Sequence, residues 1–350
     1  MRASLHHGCP VTRRKRRVIC LRARYRPPVQ FVVWGIVGIL GLSVVTAFAR
    51  VSGSVVLAVL HDMLPTNLLL AWVVLGIGLV TSNWALAVTA ALLAGCHIGL
   101  VVTRRTVDHI PAWVAAAPRV RLAVANVYIG NRTPADSVAS LLAADADLLV
   151  LTERNPDFMS AGASVKAREA YRFIVDEPSS RPDYEIAIAS RIELGPGSTV
   201  VEDGPLRIVH ARIRCGAHDL DVIGVHLTAV VEAAGFRVWR REIRALSDYV
   251  DSLDPPFVIV GDFNSTAFRP ALTVPLRAAG LRDGHRSAGK GLTRSLKFAA
   301  DGLLARLPAM ARVDHVFVSR DVHVVDIENL PTSGSDHHPF AATLAVRADV

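Results

Sequence analysis

Two short polar segments in the C-terminal half limit the folds open to this chain more than any other feature. The sequence GDFN at 261–264 follows the apolar run 257–260, and SDHHP at 335–339 precedes the apolar run 340–346. Short apolar runs bounded by turn residues are typical of buried strands. Asp262 and Asn264 are two residues apart, so in extended backbone their side chains point to the same side. The pattern predicts core strands whose ends carry carboxylate, amide and imidazole groups.

Other apolar runs of the same kind also have a polar residue at one end. They are Asn126 after 121–125, Glu153 after 147–152, His226 after 220–225 and Asp314 near the start of 312–319. Within SDHHP, Asp336 stands beside His337, which joins an oxygen ligand for a hard cation to a group able to take a proton from water. These residue types suit a site for a metal ion and a phosphate.

Segments with helical signals lie between the strand-like runs. A helix is predicted at 134–144, with Thr133 as its cap and Pro134 at its first position. The segment 231–251 repeats apolar residues at helical spacing with four arginines between them, and 270–279 is a third candidate. Strands and helices in alternation predict a layered α/β domain.

The first third of the chain is much more apolar than the rest. The segment 29–49 is long enough to cross a bilayer, which needs about 20 residues. The segment 84–102 is a second span, and 68–80 crosses only if its polar flanks enter the membrane. We therefore expect about three transmembrane helices within 29–102. The alternative is a cleaved signal peptide ending at 47–49, Ala-Phe-Ala, and the later apolar segments argue against it.

The positive charge of the chain is concentrated before the folded domain. Residues 1–118 contain 12 basic and 2 acidic residues, whereas 119–350 contain 27 basic and 29 acidic ones, so the total of +8 divides into +10 and −2. Five consecutive basic residues at 13–17 precede the first apolar segment, and by the positive-inside rule they place the tail, 1–28, in the cytoplasm. A nucleic-acid-binding arm is the alternative use of such a cluster.

Four parts follow from these patterns: the basic tail, the transmembrane region at 29–102, a linker at 103–118 and a domain at 119–350. With three spans the domain lies outside the cytoplasm, as part of an integral plasma-membrane protein, although the arginines at 104–105 oppose that orientation. Of the four cysteines, one lies in the domain. The sequence therefore has no disulfide framework and no Cys/His zinc spacing.

The ordered motifs resemble those of the endonuclease/exonuclease/phosphatase superfamily, which includes DNase I-like nucleases, abasic-site endonucleases, inositol polyphosphate phosphatases and neutral sphingomyelinases. The resemblance covers about 119–347. It rests on Asn126, LTE at 151–153, VIGVHL at 222–227, GDFN, RVDHVFVS at 312–319 and SDHHP, in that order. It implies a four-layer α/β sandwich of two mixed sheets flanked by helices. The apolar segments before it predict an N-terminal transmembrane helical region.

The resemblance also implies the metal ligands and the base. Glu153 would be the principal ligand of the metal, with Asn126 and Asp336 as further ligands. The general base toward the attacking water would be His337, with Asp314 to orient its ring and hold the imidazolium. The metal would be Mg²⁺, with Mn²⁺ as a substitute, because Mg²⁺ prefers one or two carboxylates, several waters and a substrate phosphate.

The remaining implied roles concern the phosphate. His226 would face it and stabilise its developing charge, with Glu185 as the candidate partner of that ring. Asp262 and Asn264 would contact the phosphate and assist the leaving group. His338, next to the base, is interpreted as a structural neighbour.

The sequence therefore predicts a membrane-anchored, Mg²⁺-dependent phosphoesterase, with nucleic acid slightly favoured as the substrate. A lipid or headgroup phosphodiesterase is the alternative. Membrane tethering and the basic region 269–312, with nine basic and two acidic residues, favour a lipid. A charge of −2 is a poor footprint for duplex DNA. That basic region is otherwise an ordinary solvated loop.

A non-catalytic membrane scaffold with the same fold is a third interpretation. Loss of Glu153, Asp262 or His337 would favour it, and all three are present in the sequence. The partners expected are a phosphate-ester substrate and the membrane, and no obligate protein partner is evident.

Overall fold

The computed structural model describes residues 27–162, 165–176, 185–254, 256–331 and 334–348. The basic tail at 1–28 therefore lies almost wholly outside the described residues. The N-terminal region contains five helices, which are α1 (Pro27–Phe48), α2 (Val55–Asp62), α3 (Leu64–Asn67), α4 (Leu69–Val80) and α5 (Trp84–Arg105). Among the described residues, α1 and α5 are each long and apolar enough to cross a membrane.

A third span is possible only as a broken one. The helix α2 and the segment Leu64–Val80 together meet the length and composition of a span, but they are bent by 67° relative to each other. The break falls at Met63, and Pro65 stands in the first turn of α3, where a proline is tolerated. The apolar run predicted at 68–80 thus coincides with α4, whereas α2 points in another direction.

The folded domain contains twelve described strands. In chain order they are β1 (Arg119–Asn126), β2 (Leu148–Thr152), β3 (Phe173–Asp176), β4 (Ile186–Ser190), β5 (Thr199–Asp203), β6 (Leu206–Cys215), β7 (His218–His226), β8 (Phe257–Asp262), β9 (Arg282–Asp283), β10 (Asp314–Val318), β11 (Val322–Asn329) and β12 (Phe340–Val346). They form two six-stranded sheets, with the orders β11-β12-β1-β2-β4-β3 and β5-β6-β7-β8-β10-β9.

Both sheets are mixed. In each of them one central pair is parallel, β1 with β2 and β7 with β8. The sheets pack face to face through fully buried aliphatic residues such as Val150, Ile188, Val222 and Val258. Gly224 of β7 permits this close approach, because a Cβ there would lie 3.2 Å from the side chains of Val150 and Ile186.

Helices cover the outer faces of both sheets. They are α6 (Pro134–Ala143), α7 (Pro156–Gly162), α8 (Val165–Ala170), α9 (Ala233–Asp251), α10 (Pro270–Ala278) and α11 (Gly284–Ser287), with short 3₁₀ helices at Ala112–Ala115 and Leu304–Arg306. α6 and α7 pack on the first sheet, and α9 and α10 pack on the second. The predicted four-layer α/β sandwich is confirmed, and the three predicted helices match α6, α9 and α10 to within two residues at each end.

The domain is fastened to the N-terminal helices. Ala58 of α2 is fully buried in the same hydrophobic cluster as α9 and β8. The Asp62 carboxylate accepts hydrogen bonds from Thr266 N and Oγ1, at 3.0 Å each, and forms an ion pair with Arg269. Val107, in the segment predicted to be a linker, forms a β-bridge with Ala288. The helical region and the domain are thus in contact through charged and apolar groups.

Candidate active site

The ends of strands from both sheets meet at one end of the sandwich. In the second sheet, His226, Asp262 and Asp314 occupy adjacent register positions on β7, β8 and β10. In the first sheet, Asn126 is paired with Thr152, the residue before Glu153. SDHHP leads directly into β12, which is the antiparallel neighbour of β1. The fold therefore gathers residues that are up to about two hundred positions apart in the sequence.

Asn126 holds two carboxylates at the centre of this site. Its amide nitrogen donates to Glu153 Oε1 at 2.7 Å and to Asp262 Oδ2 at 3.0 Å. Its amide oxygen accepts from Tyr128 N at 3.0 Å and retains a second lone pair. The amide thus fixes the spacing of Glu153 and Asp262, one from each sheet.

The position of Glu153 requires an uncommon backbone conformation. Its φ of 58° lies in the left-handed region, which a non-glycine residue seldom adopts. The conformation turns the chain sharply at the end of β2, and Glu153 Oε2 accepts a hydrogen bond from Ile129 N at 3.1 Å. Backbone strain of this kind is found preferentially at functional sites.

His337 and Asp314 form a buried pair beside the carboxylates. His337 Nδ1 lies 2.8 Å from Asp314 Oδ2, and His337 Nε2 lies 3.8 Å from Asp262 Oδ2. Burial opposes the charge on the ring, but Asp314 and Asp262 outweigh it and raise the pKa of His337 to about 10. In the other direction, His337 overcomes the burial of Asp314 and lowers the pKa of that carboxyl. A divalent cation bound next to these carboxylates would offset their negative charge and so lower the pKa of His337 from this value.

His226 faces the same carboxylates from the opposite side. Its Nε2 lies 3.7 Å from Glu153 Oε1 and 3.9 Å from Asp262 Oδ2. The carboxylate of Glu185, which was predicted to pair with His226, lies 3.8 Å from Arg154. Glu185 remains next to the site through its backbone, whose carbonyl accepts from Glu153 N at 3.1 Å.

Asn264 closes the turn after β8. Its backbone N–H donates to Asp262 Oδ1 at 2.8 Å, and its side-chain nitrogen donates to Leu227 O at 2.8 Å. With a φ of 48°, it is a second left-handed residue in the site. Asn264 thus joins the loops after β7 and β8 and keeps its amide oxygen for another partner.

The arrangement fits a divalent cation. Donor atoms of Glu153, His226 and Asp262 lie within 4.8 Å of one another, and Asp314 and Asp336 each have a buried Oδ1 with no hydrogen-bond partner among the described residues. Burial, reinforced by Asp314, raises the pKa of Asp262 to about 6, and burial also raises the pKa of Asp336. Crowded, desolvated carboxylates are stabilised by a cation, and this oxygen-rich set suits Mg²⁺ or Mn²⁺.

Three supporting residues were not identified from the sequence. Ser335 donates to Asn126 O at 2.8 Å and accepts from His337 N at 3.0 Å, so it links His337 to the end of β1. Ser295 Oγ accepts from Asp314 N at 3.2 Å. Lys297 is buried, and its backbone N–H donates to Asp336 O at 2.7 Å. Ser335 could have been found as the first residue of SDHHP, whereas Ser295 and Lys297 lie in a segment without a regular pattern.

Several arginines of the basic region 269–312 form ion pairs or hydrogen bonds within the protein. Arg269 and Arg312 pair with the buried carboxylates of Asp62 and Asp283, respectively. Arg282 donates to backbone carbonyl oxygens at 3.3 Å or less. Of the nine basic residues, Arg269 and Arg312 are therefore buried in ion pairs, and Arg282, which is exposed, is bound to backbone carbonyl groups.

Two layered mixed sheets with carboxylates and a His–Asp pair at their strand ends define a DNase I-like phosphoesterase fold. The chain belongs to the Endonuclease/Exonuclease/phosphatase family, whose family model matches residues 123–337. The resemblance inferred from the ordered motifs is thereby confirmed. No match was found among curated proteins.

Solved structures share this fold at low sequence identity. An endonuclease/exonuclease/phosphatase from Beutenbergia cavernae is 17% identical with a TM-score of 0.51, and the match covers 65% of this chain and 72% of that one. D. rerio TDP2 complexed with a single-strand DNA product is 15% identical with a TM-score of 0.51, over 65% and 99% of the two chains. Sphingomyelinase C from Streptomyces griseocarneus is 14% identical with a TM-score of 0.49, over 65% and 99%.

Proposed function

We propose that this protein is a divalent-metal-dependent phosphodiesterase that works at a membrane surface. The observation that carries the proposal is the buried His337–Asp314 pair, 2.8 Å apart, beside the carboxylates of Glu153 and Asp262. Hydrolysis of a phosphodiester needs charge neutralisation on the phosphate, an activated water and help for the leaving oxygen. The groups gathered here can supply all three.

The cation would be held by Glu153 and Asp336, with the free lone pair of the Asn126 amide oxygen available to it. When bound, Mg²⁺ or Mn²⁺ would neutralise charge on the phosphate oxygens. His337 would accept the proton of the attacking water, and Asp314 would orient the ring and stabilise the imidazolium that forms. His226 would face the phosphate, while Asp262 and Asn264 would contact it on the side of the leaving oxygen. Glu185 would help to position Glu153, because its backbone carbonyl accepts a hydrogen bond from Glu153 N.

A lipid headgroup phosphodiester is the substrate class that the contacts of the catalytic loops favour. The loop after Asn264 is held by Asp62 through Thr266, and Arg294 Nη2 donates to Thr66 Oγ1 at 3.4 Å. The loops that carry the catalytic groups therefore adjoin the helices that can enter a membrane. Nucleic acid, which the sequence slightly favoured, is the second candidate, since the fold alone does not decide between substrates.

A substrate panel tests the reaction and the substrate together. The full chain, reconstituted in lipid nanodiscs, would be assayed with phosphodiester-bearing lipids, single-stranded DNA and duplex DNA, with Mg²⁺, with Mn²⁺ and with excess EDTA. We expect lipid headgroup release that EDTA abolishes and Mg²⁺ restores. Glu153→Gln should lose this activity, whereas Glu202→Gln, an exposed residue of β5, should keep it.

Each remaining outcome has a defined meaning. Cleavage of DNA but not of lipid would replace the substrate class and keep the mechanism. Full activity in excess EDTA would remove the metal. A folded chain that is inactive on every substrate would favour the non-catalytic scaffold.

A further inference from the structure

A cavity of about 700 Å³ lies between the membrane-side helices and the domain. Its apolar wall includes Val44 of α1, Leu68 before α4, Leu100 of α5 and Phe268 and Val274 of the domain. Its volume is within the range of about 300–1,000 Å³ that is typical of small-molecule sites. None of the residues to which the hydrolytic site was assigned lines this cavity.

Positive charge is concentrated at the same cavity. Three arginines line it, Arg50 after α1, Arg104 at the end of α5 and Arg277 of α10, and no carboxylate does. Among the described residues, no ion pair joins Arg50 or Arg277 to an acid, and both residues are exposed. Arg104 lies 4.8 Å over the Phe268 ring, and its nearest carboxylate, Asp283, is 3.9 Å away. Three guanidinium groups around one cavity with so little counter-charge fit an anionic ligand.

The helices that form the cavity indicate that the ligand also has an apolar part. α1 and α5 are the two helices able to cross a membrane by themselves, and their C-terminal ends both line the cavity, through Val44, Leu100 and their neighbours. An apolar space between two such helices is continuous with the region that acyl chains occupy. A molecule with acyl chains and a negatively charged phosphate headgroup matches both the wall and the rim.

We propose that this cavity is a binding site for an anionic phospholipid of the surrounding membrane. The acyl chains would lie against α1, α5 and Phe268, and the headgroup phosphate would be bound by Arg50, Arg104 and Arg277. The lipid would be a bound ligand that joins the helices to the domain, distinct from any substrate. The site does not depend on catalytic activity, so its test is independent of the phosphodiesterase assay.

The charge half of the site is tested by lipid selectivity. The full chain in detergent would be titrated with phosphatidylglycerol and with phosphatidylcholine of identical acyl chains, and binding would be measured by native mass spectrometry. We expect phosphatidylglycerol to bind more tightly than phosphatidylcholine. The double variant Arg50→Gln/Arg277→Gln should weaken phosphatidylglycerol binding by at least about tenfold, since hydrogen bonds to charged groups are stronger than those between neutral groups.

A matched control distinguishes specific lipid binding in the cavity from nonspecific attraction of anionic lipid to basic surfaces. Arg237 and Arg244 of α9 are exposed and do not line the cavity, so Arg237→Gln/Arg244→Gln removes the same charge elsewhere. This control should bind phosphatidylglycerol as the unmodified chain does. Equal losses in the two double variants, or equal affinity for the two lipids, would overturn the proposal.

The apolar part of the site is tested with variants that change no charge. This test can be made even if the arginine double variant does not fold. Gly99 of α5 lines the cavity, and a Cβ there would meet nothing within 4 Å, so Gly99→Leu adds an apolar side chain to the cavity lining from a Cβ position that is free of contacts. Gly95→Leu, one turn earlier and also without a neighbour within 4 Å, adds the same side chain outside the lining. We expect Gly99→Leu to lose the lipid and Gly95→Leu to retain it. Retention by Gly99→Leu would contradict the proposal.

Discussion

At the scale of single residues, His337 offers the sharpest test of the proposed chemistry. It combines a 2.8 Å contact with Asp314 and a position 3.8 Å from Asp262. We expect His337→Ala to lower kcat by at least about 100-fold, the scale of a lost general base. The measurement is kcat at saturating Mg²⁺ and substrate. His338→Ala changes the adjacent residue, which contacts the site through its backbone N–H to Ser295 O, and should keep most of the activity.

Circular dichroism of the His337→Ala chain would establish that it is folded before its kcat is interpreted. Unmodified turnover in a folded His337→Ala chain would remove His337 from the mechanism.

His315 provides a residue-scale prediction about pH. Its Nε2 donates to Ser265 O at 2.8 Å, and its Nδ1 accepts from Arg312, so the folded protein requires a neutral ring. Burial, and then the Arg312 charge, lower the pKa of His315 from 6.5 to about 3. As pH falls below 6.5, the unfolded chain gains a proton that the folded chain does not. Stability should therefore decrease toward pH 3, at no more than about 1.4 kcal/mol per pH unit from this residue.

His315→Gln should reduce that slope, because glutamine can donate and accept hydrogen bonds but does not titrate. Thermal unfolding of the detergent-solubilised chain between pH 5 and 8 measures the effect. His109→Gln, at an exposed histidine, should leave the slope unchanged. The assignment to His315 fails if His315→Gln has the slope of the unmodified chain.

At the residue scale, the sequence predicted which residues lie together at the strand ends better than it predicted the contacts of each side chain. Asn126, Glu153, Asp262, Asp314 and His337 were chosen because each follows or begins an apolar run, and strand register brings such ends together. The partner of Glu185 could not be predicted in this way. Its carboxylate lies 3.8 Å from Arg154, and the pattern of apolar runs contains no information about a contact of that kind.

At the scale of elements, the loop between β8 and α10 joins the strand ends of the candidate site to the N-terminal helices. Trp239 of α9 donates to Phe263 O at 2.8 Å, and Arg269 lies 4.6 Å over the Trp239 ring. Arg269 is 1% exposed, and Asp62 is its ion-pair partner. The position of the loop thus depends on a charge supplied by α2.

Removing that charge should be costly. We expect Asp62→Ala to destabilise the protein by about 3–5 kcal/mol, because it leaves a buried guanidinium without a counter-charge. Denaturant unfolding of the full chain measures this. The comparison is Asp108→Ala, which breaks the ion pair with Arg286 whose side chains are 39% and 35% exposed, and which should cost no more than about 1 kcal/mol.

A second variant separates the lost pair from general damage. In Asp62→Leu/Arg269→Met no charge is left buried, so a large part of the loss should be recovered. Equal losses for Asp62→Ala and Asp108→Ala, or no recovery in the double variant, would contradict this account of the loop.

Elements inside the domain were more predictable than those of the N-terminal helical region. The helices α6, α9 and α10 begin or end within two residues of their predicted limits, because proline, capping residues and helical periodicity mark them. The helix α2 was not predicted. Its residues are apolar enough to be counted with a span, but α2 is bent by 67° from the next segment and contacts the domain through Ala58 and Asp62.

At the scale of the whole molecule, the ends of the helices determine which side of a membrane each part can occupy. Gln30 at the start of α1 lines the same space as Thr81 and Asn83 between α4 and α5. Arg50 after α1 and Arg104 of α5 line a space with the domain residue Ala267. α1 and α5 therefore both run toward the domain, and α4 runs away from it.

The side of the membrane on which the domain lies therefore depends on whether α4 crosses the membrane. α4 alone has 12 residues, which at about 1.5 Å each reach roughly 18 Å, and α3 adds about one further turn. The hydrocarbon core is about 30 Å thick, so the segment spans only if the membrane thins locally or polar flanks enter it. The domain would nevertheless lie at the end of the bundle opposite the start of α1. The Arg104 charge, which opposed this orientation in the sequence, is accompanied by Asp283 at 3.9 Å.

We therefore expect the catalytic domain to be extracytoplasmic, because the basic residues at 13–17 hold the start of α1 in the cytoplasm. Protease added to intact cells should degrade the domain and spare a tag placed at the N-terminus. Replacing the five basic residues at 13–17 with glutamine should weaken this preference, so that a fraction of the chains becomes protected, whereas replacing Arg237, Arg240, Arg241 and Arg244 of α9 should not. A domain that is degraded only after lysis, or a reporter after Val350 that is active only in the cytoplasm, would reverse the assignment and place the hydrolytic site on the cytoplasmic face.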